Sequence, residues 1–125
     1  MRFDRVQIIS NASMSSNVIS IGIDCNQIAL ASIQAEWTGA TATGTLKLQI
    51  SNDLVAVASS NTNPAGPDPA ANVINWSDYT GSTTTVSGPG NFTWNMVYVG
   101  YRWLRLVYTA GSGTGTLNAT FSGKG

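Results

Sequence analysis

The side chains that could do chemistry are few, and their types limit what that chemistry could be. Carboxylates stand at Asp24, Glu36, Asp53, Asp68 and Asp78, with no spacing that marks an acid/base pair. Cleaving a glycosidic bond needs two carboxyls held a fixed distance apart; here they read as solvated surface charge. The chain has no histidine. That removes the usual general base, the usual activator of a nucleophile and the commonest metal ligand. Cys25 is the single cysteine. It cannot close an intramolecular disulfide, and with no imidazole to activate it, it reads as a small buried hydrophobe. A calcium site at Asp53 and Asp68 is conceivable, but turn chemistry explains both residues. Asn52-Asp53 ends an apolar alternation, and Asp68 sits between Pro67 and Pro69. The glycines around Pro89 and those from Gly111 to Gly115 lack the following helix and lysine of a phosphate loop. The expectation is a chain with no catalytic residue, no metal site and no cofactor, and not an enzyme.

The aromatic residues hold more interest. Trp37, Trp76, Trp94 and Trp103 accompany four tyrosines. Trp76 and Tyr79 could stack on sugar rings, with Asn75, Asp78 or Arg102 binding the hydroxyls. Trp94 alternates with Phe92 and Met96, which places it in a core, and Trp37 reads the same way. For Trp76, Tyr79 and Trp103 both readings stay open, core edge or interface.

Whatever these residues do, strands must position them. Ile19, Ile21 and Ile23 alternate with polar or small residues, as do Leu46, Leu48 and Ile50; Phe92, Trp94 and Met96; and Leu117, Ala119 and Phe121. A period of two gives one apolar and one polar face, the requirement of a half-buried antiparallel strand. Gly/Ser/Thr/Pro-rich breaks separate the runs. The pattern predicts strands near 3–10, 17–24, 27–38, 44–51, 73–79, 82–87, 91–98, 101–110 and 115–123. About eight or nine short strands at this spacing indicate an all-β, antiparallel two-sheet β-sandwich of jelly-roll type. In the segment 27–38 both faces are expected to be partly covered. From Tyr101 to Thr109 both faces mix apolar and charged groups, so the outer side of that strand needs cover from a loop or another subunit. A long Pro-rich loop at 52–72 breaks the pattern, and loops of that length are usually functional or flexible.

At 125 residues the chain fits a single domain able to bury its own core. Charged residues are only 10% of the total, against about 25% in average soluble proteins. Six basic and six acidic residues cancel, so no positive field exists to hold a nucleic-acid backbone. No apolar run is long enough to span a membrane or to form a signal-peptide core, so synthesis in a cytoplasm is expected. The sequons at Asn11, Asn75, Asn91 and Asn118 then read as by-products of an Asn/Ser/Thr-rich composition.

Two stretches carry a family resemblance. Leu46-Lys-Leu-Gln-Ile-Ser-Asn-Asp53 is followed, after the Pro-rich loop, by Asn75-Trp-Ser-Asp-Tyr-Thr80. Tyr101-Arg-Trp-Leu-Arg-Leu-Val-Tyr-Thr109 is followed by Gly113-Thr-Gly-Thr-Leu117. In this order they resemble small β-sandwich virion structural proteins of tailed phages, over about residues 6–125. Residues 44–110 also look distantly like discoidin-type galactose-binding sandwiches, but lack the flanking cysteine pair and carry Leu54 where a glycine would stand. The phage resemblance implies a particle component made in the host cytoplasm, with capsid decoration as the leading role. Its partners would be copies of itself, with a trimer favoured, and virion proteins such as the major capsid protein. Tyr101, Trp103, Arg105, Leu54 and Val55 are the expected contact residues. The alternative function is a carbohydrate-binding module aiding adhesion to a host surface, with Trp76, Tyr79 and Arg102 holding the glycan.

Overall fold

The computed structural model describes residues 3–54, 68–97 and 99–125. Ten strands run in chain order: β1 (Phe3–Ser13), β2 (Val18–Ile19), β3 (Ile23–Asp24), β4 (Leu30–Thr38), β5 (Thr43–Ser51), β6 (Ser77–Asp78), β7 (Thr84–Ser87), β8 (Gly90–Val97), β9 (Trp103–Ser112) and β10 (Thr116–Lys124). The described residues contain no helix. One sheet has the order β1-β10-β4-β8; the other has the order β2-β9-β5-β6, with β3 also on β9 and β7 also on β5. Every pairing is antiparallel. This is the all-β two-sheet sandwich that the period-two patterning predicts.

The apolar positions of both sheets meet in one cluster. Ile33, Leu117 and Phe121 come from the first sheet; Leu46, Leu48, Leu104, Leu106 and Tyr108 come from the second, and all are buried. Trp37 and Trp94 close its edges. Their indole N–H groups donate to the carbonyls of Gly88 and Ser82, each at 2.7 Å, so neither polar tip is buried unpaired. Cys25 is buried among the same residues.

Three local departures from the expected pattern have physical causes. The run 17–24 splits in two because the register slips: Ile19 pairs with Val107 but Ile23 pairs with Leu104. One extra residue on the β2–β3 side reverses which way the chain faces, so Ile23 is buried and Ile19 is exposed. Ser20 fills the gap, its hydroxyl accepting from the Leu106 amide at 2.9 Å. The segment 73–79 is strand only at Ser77–Asp78, because the residues before it turn onto the outer face of the second sheet. In the segment 27–38 the strand starts at Leu30, after Gln27 at a positive φ of 65°. Gln34 and Glu36 on its outer side are exposed, so one face is covered where partial cover of both was expected.

Candidate functional site

The outer face of the second sheet gathers most of the aromatic and charged residues singled out from the sequence. Its organising residue is Trp103 on β9. The indole is 0% exposed and packs with Ala70 and Val73, against which the half-buried Trp76 also rests. These partners come from the segment 68–76, which lies over the sheet as a strap. Strand alternation explains the geometry: Leu104, Leu106 and Tyr108 point into the sandwich, so Trp103 and Arg105 must point out.

Three fasteners hold the strap. At one end Asp68 Oδ1 accepts from the amides of Gly22 at 2.8 Å and Ala70 at 2.9 Å. Gly22 has no room for a side chain, because a Cβ there would collide with the Cβ of Ala70. At the other end Asp53 Oδ2 accepts from the amides of Ile74 and Asn75, each at 2.9 Å, and Oδ1 accepts from Asn75 Nδ2 at 3.1 Å. The Asn75 amide, then the Ile74 amide and the Asn75 side chain, hold this carboxyl below its ordinary range. Between the ends, Arg105 lays its guanidinium 4.2 Å from the centre of the Trp76 ring and donates from Nε to Gln49 Oε1 at 2.9 Å. Burial lowers the Arg105 pKa, opposed by the nearby charge of Asp68. Trp103 Nε1 donates to the Asp53 carbonyl at 3.2 Å, which ties the buried indole to the clamp.

Other charged groups of this face are also matched. Asp78 accepts from Gln49 Nε2 and Lys47 Nζ, both at 3.1 Å, and these contacts hold its carboxyl below the usual range. Arg102 pairs with Asp24, with Nε at 2.7 Å from Oδ1. Tyr101 is not on this face: with Tyr79 it packs against the main core, where it is half-buried, donates to Met96 Sδ at 3.1 Å and meets the Tyr79 ring edge-on, with centroids 6.1 Å apart. Burial raises its phenol pKa, with Cys25 and Tyr79 adding to the shift.

These placements revise the expected contact residues. Trp103 is a correction: it lies under the chain's own strap and offers no surface to another subunit. The cover that its strand requires is a loop of the same molecule. Arg105 is engaged by Trp76 and Gln49. Leu54, in contrast, is 99% exposed, and Ile74 beside the same clamp is 81% exposed; the pattern of the sequence did not single out Ile74. Val55 lies outside the described residues. The three glycan candidates are each engaged by other groups of the chain. Trp76 belongs to the strap, Tyr79 packs against the main core, and Arg102 is held by Asp24. Turn chemistry holds for Asp68, which accepts from the Ala70 amide two residues on; the Asp53 carboxylate instead accepts from Ile74 and Asn75 far along the chain, a long-range clamp where a turn was expected. Among the described residues no group of three or more His, Cys, Asp or Glu side chains gathers to hold a metal ion.

No family model matches the chain, and no curated protein matches it in sequence. In fold it is similar to the crystal structure of the SPBc2 prophage-derived protein YomS, with a TM-score of 0.51 at 10% identity. That similarity covers 98% of this chain and 96% of the other. At such an identity the match speaks for the fold: an all-β sandwich shared from end to end.

Proposed function

We propose that this chain is a non-enzymatic structural component of a phage particle, attached at the particle surface as a capsid decoration protein and assembled from copies of itself. The observation that carries the reading is the end-to-end similarity of fold and length to a prophage-derived protein. The sequence resemblance to small virion sandwiches points the same way. The described fold suits a mechanical part, since its most polar-rich aromatic cluster is spent on fastening a strap rather than on opening a cleft.

Contacts between copies fall to the end of the sandwich at the Asp53 clamp. Leu54 and Ile74 there are large, apolar and almost fully exposed, on a base that the Asp53 hydrogen bonds make rigid. Apolar groups fixed in place lose little entropy on docking, and repetition over symmetry-related sites turns weak contacts into firm attachment. The test is to purify particles on a density gradient from cells producing the phage and to look for the chain by mass spectrometry and immunogold labelling. Co-migration with intact particles and a label on their surface are expected. A chain that stays in the soluble lysate while particles form normally would refute the proposal.

A further inference from the structure

Among the described residues no strap lies over the outer face of the first sheet. Its outward residues form aligned rows across the four strands. Arg5 pairs with Ser122, Ser122 with Ser32, and Ser32 with Asn95; one row along, Gln7 pairs with Thr120, Thr120 with Gln34, and Gln34 with Thr93. Ser32 and Ser122 are short and sit side by side on the two central strands. Longer neighbours rise around them, which leaves two adjoining hollows of about 310 and 480 Å³ that share both serines. Arg5 lines one hollow and Lys124 the other.

The hydrogen-bonding groups of these two rows are largely unspent, as are those of the row Thr85, Thr45 and Thr109 on the second sheet; the two hollows and the cations beside them set the first sheet apart. Ser32, Gln34, Thr93, Asn95, Thr120 and Ser122 enter no side-chain hydrogen bond among the described residues, and Arg5 and Lys124 enter no ion pair there. Lys47 and Arg102 are matched to carboxylates, and Arg105 to Gln49 and Trp76. Donors and acceptors standing on paired strands are also held more firmly than on a loop.

We propose that this face is a binding site for an acidic oligosaccharide, a polyhydroxylated chain bearing carboxylates. Hydroxyl and amide groups match sugar hydroxyls, the hollows have the size of small-molecule sites, and Arg5 and Lys124 supply the complementary charge. A second copy of the chain is disfavoured here, because interface cores are apolar and aromatic. Single-stranded nucleic acid is disfavoured because no aromatic platform is present among the lining residues. Without such a platform each site is weak, and affinity comes from many copies. The site is independent of Trp76 and Tyr79, and the inference does not depend on the particle reading.

The experiment is an NMR titration of the full ¹⁵N-labelled chain with tetragalacturonate and, in parallel, with neutral maltotetraose. Saturable shifts at Ser32, Gln34, Thr93, Thr120 and Ser122 with tetragalacturonate, and clearly weaker ones with maltotetraose, are expected. Ser122→Tyr, which fills the shared hollow, should abolish them. Arg5→Ala with Lys124→Ala, at exposed positions that leave the core untouched, should weaken tetragalacturonate about five- to tenfold. The proposal is overturned by an absence of saturable shifts up to about 10 mM, a range where even weak sites register. It is equally overturned by shifts centred on Trp76 and Tyr79, by equal binding of the two sugars, or by full binding in the charge-removed variant.

Discussion

The two outer faces of this sandwich are built from the same strand chemistry and end in opposite states. On the second sheet Trp103 stands where an exposed side chain would be expected, and the chain folds its own residues 68–76 over it. Arg105, Gln49, Lys47 and Asp78 satisfy one another around that cover. On the first sheet no large apolar residue demands cover in the central rows, and the serines, threonines and amides there face outward. One outward tryptophan decides the difference. A sheet face carrying it must be closed, while a face without it stays open at the small cost of a partly exposed Leu30.

The sharpest way to break this contrast is to remove the tryptophan. Trp103→Ala should cost about 3–5 kcal/mol in urea unfolding, the range for emptying a buried aromatic site. A loss below about 1 kcal/mol would mean that the strap does not bury it in solution. Next comes the crowded glycine. Gly22→Ala forces Ala70 away and should cost about 1–3 kcal/mol, with amide protection lost over residues 68–76 and kept in β4 and β10. Uniform loss of protection would show that the strap is not a separable unit.

Asp53 gives a pH arm. Its folded pKa lies below the ordinary carboxylate value, so its contribution is fully present above the unfolded pKa of about 4 and fades as pH falls through the folded one. Exchange of the Ile74 and Asn75 amides, corrected for intrinsic rates, should therefore speed up as the solution is acidified below pH 4. Asp53→Asn should speed it at neutral pH and flatten the acid response; an unchanged profile would place the clamp elsewhere. The smallest effect belongs to the open face. Thr93→Ala and Thr120→Ala should each change stability by less than about 0.5 kcal/mol, because those side chains support no other group. A larger loss would show that this face is part of the framework.

Much of this was legible in the sequence, and the limits are instructive. Period-two alternation placed β4, β5, β8, β9 and β10 within a few residues, because one-sided burial imposes that period directly. The two-faced character of the strand from Tyr101 to Thr109 was also visible, as was its need for cover. What covers Trp103 was not visible, since strap and neighbouring subunit leave the same mark on one strand. The partner residues Ala70 and Val73 are small and sit in a Pro-containing stretch with no period. The reversal between Ile19 and Ile23 was hidden because the isoleucines keep perfect alternation while the pairing slips by one residue. Ile74 escaped notice because exposure of a single apolar residue has no sequence signature.

The proposed particle role, set beside the covered Trp103 and the exposed Leu54–Ile74 end, has copies joining through that end. Native mass spectrometry of the untagged protein, beside a Leu54→Ser/Ile74→Ser variant, tests it most directly. The expected result is a closed oligomer, with a trimer favoured, that falls to monomer in the variant while the fold is retained. A monomer at every concentration, or an oligomer that the double substitution leaves intact, would contradict it.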